Sequence, residues 1–202
     1  MKIALIGASG NAGTRILAEL TRRGHQVTAI ARDTSRIASA PNVSPVAADI
    51  EDSAKLAEVL QGHDAVVSSV HFSASDPDKL ISAVEASGVR RYLVVGGAGS
   101  LEVAPGKMLV DTSDFPAQYR DESLAGVAFL DKLRANKNLD WTYLSPSALF
   151  SPGERTGKFR LGQDELLTHD KGSSISFEDY AIALADELEQ PRHVRRRFTV
   201  GY

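Results

Sequence analysis

Short apolar runs alternate along the chain with longer segments in which apolar residues return every three or four positions, the marks of buried strands and amphipathic helices. Lys2 to Ile6 predicts a first strand. Asn11 to Arg23 then predicts a helix that gathers Ile16, Leu17 and Leu20 on one face before Gly24 ends it. Gln26 to Ala31 and Val43 to Ala48 predict two more strands, and Ser53 to Leu60 a helix capped by Asp52 or Ser53 and closed by Gly62. Ala65 to Ser69 and Arg91 to Val95 follow as strands, separated by a helix that Asp76-Pro77 opens and Gly88 stops. Beyond Val95 the pattern loosens. Gly96 to Phe115 reads as a loop, Pro116 to Ala135 as a helix, and Leu139 to Leu144 as a sixth strand. Ser145 to Lys171 is punctuated by Gly and Ser with weak periodicity. A helix from Glu178 to Glu189, with Ala181, Leu184, Ala185 and Leu188 inward, and a strand from Val194 to Val200 close the chain.

Strands that alternate with helices and are nearly continuous in apolar residues predict an α/β fold, a doubly wound parallel sheet in three α/β/α layers. At 202 residues the expectation is one domain, 1–202, with residues 145–175 as a substrate-side excursion and a small C-terminal region beside it. The absence of Cys removes disulfides, thiolate nucleophiles and sulfur-ligated metals. None of the five His forms a close ligand pair, so no metal site is expected. A formal net charge of -3 gives no general attraction to nucleic acid, and the one basic run is Arg195-Arg196-Arg197. No apolar run approaches the roughly 18 residues of a membrane span. The first residues lack the shape of a signal segment, so the chain reads as cytoplasmic, with no membrane partner.

Gly7-Ala8-Ser9-Gly10-Asn11-Ala12-Gly13 joins the first strand to the first helix. Glycines there permit a tight turn, close approach of backbone to a diphosphate, and close packing of helix on strand. An anion would sit over the free N–H groups at the helix start. The spacing is G-x-x-G-x-x-G, and the expected ligand is a nicotinamide dinucleotide. Ala31-Arg32-Asp33 ends the second strand. Arg32, with Arg36 as helper, suits a 2'-phosphate and favours NADP(H), whereas Asp33 keeps NAD(H) open through a ribose contact. Asp49 and Ile50, just past the third strand, are candidates to flank the adenine. Ligands of parallel sheets lie beyond the carboxyl ends of the strands. Those ends are Ser68-Ser69-Val70, Gly96-Gly97 and Ser145-Pro146, with His71 nearby.

The glycine loop, Val27-Thr28-Ala29-Ile30-Ala31-Arg32, Val94-Val95-Gly96-Gly97-Ala98-Gly99-Ser100-Leu101 and Asp140-Trp141-Thr142-Tyr143-Leu144-Ser145-Pro146 together resemble the atypical short-chain dehydrogenase/reductases. The resemblance is to members similar to NADH-flavin reductases and biliverdin reductase B, and it covers essentially the whole chain. It implies a Rossmann-type fold, NAD(P)H at the sheet edge, and reduction of a small-molecule acceptor such as a flavin or quinone. The superfamily's Tyr-x-x-x-Lys is not reproduced. The nearest tyrosine, Tyr119, is followed four residues on by Ser123, and no histidine follows the sixth strand near Ser147-Ala148.

Hydride transfer to a conjugated acceptor asks little of protein acids. The candidate catalytic residues are Ser100, to orient the acceptor, and Tyr119. An apolar opening lined by Leu101, Ala148, Leu149 and Phe150 is expected. The basic stretch Gly153 to Arg160 is a candidate guide for an anionic acceptor, and Lys107 and Met108 for part of a lid. A dinucleotide sensor without turnover, similar to NmrA-like regulators, and a small-metabolite epimerase or dehydratase remain alternatives. The assembly is expected to be a monomer or homodimer.

Overall fold

The computed structural model describes residues 1–202. Its first half runs β1 (Lys2–Ile6), α1 (Asn11–Arg22), β2 (Gln26–Ala31), β3 (Val43–Ala47), α2 (Ser53–Leu60), β4 (Ala65–Ser68), α3 (Pro77–Ala86) and β5 (Arg91–Val95). The second half runs β6 (Glu102–Ala104), β7 (Lys107–Met108), α4 (Arg120–Ala135), β8 (Asp140–Pro146), β9 (Leu149–Ser151), β10 (Arg160–Gly162), β11 (Ser174–Ser176), α5 (Phe177–Glu189) and β12 (Arg196–Gly201). The eight-stranded main sheet has the order β10-β12-β8-β5-β4-β1-β2-β3. Every neighbouring pair is parallel except β10 on β12. The chain reverses its direction of travel across the sheet between β1 and β4, where a doubly wound fold opens its binding crevice.

Alternation along β1 builds the three layers. Ile3 and Leu5 join Ile16 and Leu20 of α1 and Tyr180, Leu184 and Leu188 of α5. Ala4 and Ile6 point the other way, toward Leu56 and Leu60 of α2, Leu80 and Val84 of α3, and Phe129 and Leu133 of α4. Both faces are covered, so the central strands are apolar along most of their length. Burial of each such Leu or Ile stabilises the fold by about 1.5–3 kcal/mol. The edge strand β3 departs from that pattern: Ser44, Pro45 and Ala47 are exposed. Caps set several helix starts. The Asp52 side chain accepts from the Lys55 N–H, and Asp76 from those of Asp78 and Lys79 ahead of Pro77.

Differences from the sequence expectation lie in the second half. The segment read as a loop after β5 contains the hairpin β6-β7, which includes Lys107 and Met108. Residues 116–119 form a tighter turn rather than the start of α4. The excursion contributes β9, paired parallel to β11, and β10, paired to the last strand. Strand β12 begins at Arg196 because Arg195 has φ 56 and breaks the extended run. The basic stretch is strapped down rather than free. Arg155 donates to buried Glu19 at 3.0 and 3.1 Å. The Gly153 N–H donates to Glu178, and the N–H groups of Thr156 and Gly157 to buried Asp179. Arg160 donates to the carbonyls of Thr168 and Tyr202. These are long-range pairings, which local periodicity does not record. No helix is long and apolar enough to cross a membrane.

Candidate dinucleotide site

The glycine loop is shaped by its own backbone. Gly7 takes φ +80, and a Cβ there would run into the Ser69 carbonyl; a Cβ on Gly13 would run into the Gly7 carbonyl. The N–H groups of Gly7 and Ala8 donate to the Ile30 carbonyl at 2.9 and 3.1 Å, which ties the loop to the end of β2. Gly10 is the N-cap and supplies no side-chain cap, and the first turn of α1 carries no acidic residue. The N–H groups of Ser9, Asn11, Ala12 and Gly13 therefore meet no acceptor in the protein. Gly10 is exposed and Gly13 buried, so the open end of the helix dipole faces outward from a close-packed base. Such a cradle fits a diphosphate in shape and sign.

Around it the structure gathers most of the candidates from the first half. Arg32 is exposed just past the end of β2, and Arg36 is exposed in the segment that follows. The Asp33 carboxylate accepts from the Ser35 N–H at 2.9 Å, and this bond, with the Ser35 hydroxyl, holds its pKa below the usual carboxylate value. Its acceptor capacity is thus partly turned into its own loop. The Ala48 N–H donates to the Ala31 carbonyl, which brings Asp49 and half-buried Ile50 beside Arg32. Ser69 and Val70 abut Gly7. Ser68 ends β4 with its hydroxyl buried and bonded to the Tyr92 hydroxyl at 2.9 Å.

The candidates from the second half are held by side chains. Gly96 lies against the Tyr143 ring with no room for a Cβ, and the Gly97 N–H donates to the Tyr143 hydroxyl at 3.1 Å. That hydroxyl in turn donates to the Gly126 carbonyl of α4. Burial pushes the Tyr143, Tyr92 and Tyr180 hydroxyls well above the usual tyrosine range, so all three stay protonated as fixtures of the core. Ser145 and Pro146 are buried at the end of β8, and the Ser145 hydroxyl has no partner in the protein.

Ser100 requires correction. It is 7% exposed, and its hydroxyl accepts from Arg197 at 3.2 Å, while Arg197 also donates to Asp164 at 2.7 Å. It is therefore no free hydroxyl at an opening. Tyr119 is 57% exposed just ahead of α4. Of the expected apolar lining, Leu101 is fully buried and Phe150 packs on Phe177 and Tyr180, leaving Ala148 and Leu149 at the surface.

Three side chains escaped the sequence reading. Glu122, on α4, accepts from the N–H groups of Phe72 and Ser73 and lies 3.6 Å from His71, fixing the segment after β4. Burial raises its pKa, but these bonds outweigh burial and hold it below the usual glutamate value. Arg15 lies near the positive end of α1, bonded to the Asn11 carbonyl and to Glu178 at 3.1 Å. A cation there opposes the helix dipole, which was the available signal. Tyr143 stands in the Asp140–Pro146 run, where nothing local marks its hydroxyl as the support of Gly97.

Comparison with known proteins bears on this geometry. A family described as NAD(P)H-binding matches residues 7–191. The uncharacterized protein YwnB of Bacillus subtilis is 42% identical over 99% of this chain and 98% of its own. A Bacteroides thetaiotaomicron structure provisionally named an epimerase is 41% identical, covering 100% of this chain and 96% of that one at a TM-score of 0.95. A Streptococcus pneumoniae structure provisionally named an NADH-flavin reductase is 38% identical, covering 100% and 99% at 0.84.

Proposed function

The chain belongs to the NAD(P)H-binding family, and on that premise we propose that it is an NAD(P)H-dependent reductase that passes a hydride to a flavin, quinone or similar conjugated acceptor. The observation that carries the reading is the row of unengaged N–H groups at Ser9, Asn11, Ala12 and Gly13 over a loop with no room for side chains. In this reading they hold the diphosphate, Arg32 and Arg36 take a 2'-phosphate in preference to NAD(H), and Asp49 and Ile50 flank the adenine. Ser69, Val70, Gly96 and Gly97 let the rest of the cofactor lie against the ends of β4 and β5. The bound nicotinamide supplies the hydride, and the protein's part is to position it.

The acceptor class follows from what is missing among the side chains. Tyr119 lacks a lysine one turn on, and the three buried tyrosine hydroxyls are engaged in the core. A conjugated ring tolerates this because it delocalises the incoming charge. Residues 1–202 act as one unit, with 145–175 covering the acceptor side. The same lack of a Tyr-x-x-x-Lys favours, as second reading, a dinucleotide sensor. An anaerobic assay separates them: absorbance at 340 nm is followed with FMN, a quinone and biliverdin, each with NADH and with NADPH. The reductase reading expects acceptor-dependent loss of NADPH. Tight cofactor binding without turnover across the panel would sink it in favour of the sensor.

A further inference from the structure

A second concave site lies at the far edge of the sheet, lined by none of the residues assigned to the cofactor. It is a cavity of ≈ 370 Å³ lined by five arginines, Trp141 and a single carboxylate, Asp164, among nine residues. Arg134 comes from α4, and Arg192, Arg195, Arg196 and Arg197 from the end of α5's connection and the start of β12. This concentration of cations occurs in a chain whose formal net charge is -3, so it is a local device and not a reflection of overall basicity.

The local carboxylates pair three of the five arginines and leave two. Asp164 takes Arg197 at 2.7 Å and lies 3.8 Å from Arg134, which Asp131 takes at 3.2 Å; Asp140 takes Arg195 at 3.3 Å, and Glu187 lies 2.8 Å from His193. Arg192 reaches only the Gln190 side chain, and Arg196 meets no carboxylate. Guanidinium groups left unpaired on a concave wall select anions able to accept paired hydrogen bonds. A second observation points the same way. Trp141 is 3% exposed beside the cavity, and its indole N–H has no acceptor in the protein, an uncommon state for a buried donor. The cavity's size admits a small molecule.

We propose that this cavity binds a small polyanion, a molecule bearing two or more phosphate or carboxylate groups. Arg197 is not a group to vary in testing this, because it is buried and also holds Ser100; Arg192 and Arg196 are exposed. Trp141 is the only tryptophan of the chain and lines this cavity, so its fluorescence gives an optical readout there. The experiment titrates the full-length protein, saturated with NADP+ to occupy the glycine loop, with inorganic pyrophosphate and separately with citrate. Sodium chloride at matched ionic strength is the control, and titration calorimetry runs in parallel. The expected result is a saturable response to at least one probe, by fluorescence or heat, weakened at least about tenfold in Arg192→Gln/Arg196→Gln. The variant's circular dichroism and NADP+ affinity should be unchanged. Three results overturn the proposal: no saturable signal by either method, a response that chloride reproduces, or binding that survives the double substitution undiminished.

Discussion

The two halves of the crevice are built from different materials. Around β1 and α1 the surface that would meet a ligand is main chain: Gly7 and Gly13 exclude side chains, and four N–H groups stand without acceptors. Around β5 and β8 the equivalent surface is propped from behind by side chains far apart in sequence, Tyr143 on Gly97 and Arg197 on Ser100. A backbone site depends on the local rule that only glycine fits, whereas a propped site can change its lining without changing its frame. The first half is accordingly suited to a constant ligand and the second to a variable one.

The sharpest way to break the comparison is Gly13→Val. It drives a branched side chain into the Gly7 carbonyl, and titration calorimetry should show NADP+ affinity reduced by about a hundredfold or more, near 3 kcal/mol. Retained affinity would mean the main chain is not the grip. Next in size, Arg32→Gln/Arg36→Gln should weaken NADP+ by about tenfold or more while leaving NAD+ within about twofold, because the proposed reading gives these two residues a 2'-phosphate contact and nothing else. Equal losses for both would move the phosphate contact elsewhere.

Tyr143→Phe tests the propped half. It strips the Gly97 N–H of its acceptor and the Gly126 carbonyl of a donor, and urea unfolding should show a loss of about 1–3 kcal/mol. NADP+ affinity should change far less than with Gly13→Val. The smallest effect concerns pH. Glu122 has a folded-state pKa below its unfolded value. Its contribution to stability is therefore full above the ordinary glutamate range and is lost as pH falls through the lowered value. Thermal unfolding from pH 7 to pH 3 should lose part of its acid dependence in Glu122→Gln, and an unaltered slope would remove Glu122 from that role.

The same division explains how much could be read before the fold was known. The central strands and their parallel character follow from apolar runs that alternate with helices, and the glycine spacing marks the loop after β1, because each is a local property; the order of the strands is not. The hairpin β6-β7, the burial of Ser100 and the strapping of the 153–157 segment by Glu19, Glu178 and Asp179 depend on partners up to more than a hundred positions away. Arg197 shows the limit clearly. In a run of three arginines its neighbours are exposed while it is buried, and only the pairing of β12 with β8 decides which of the three turns inward.

The outermost strands also govern how copies of this molecule can meet. On one flank β3 carries Pro45, which has no amide hydrogen to offer a neighbour, and on the other the short, reversed β10 presents only three residues. Neither flank offers a long ribbon for another chain to extend. Self-association, where it happens, is thereby steered to the helical surfaces, and fibril-like stacking from the folded state is discouraged by construction.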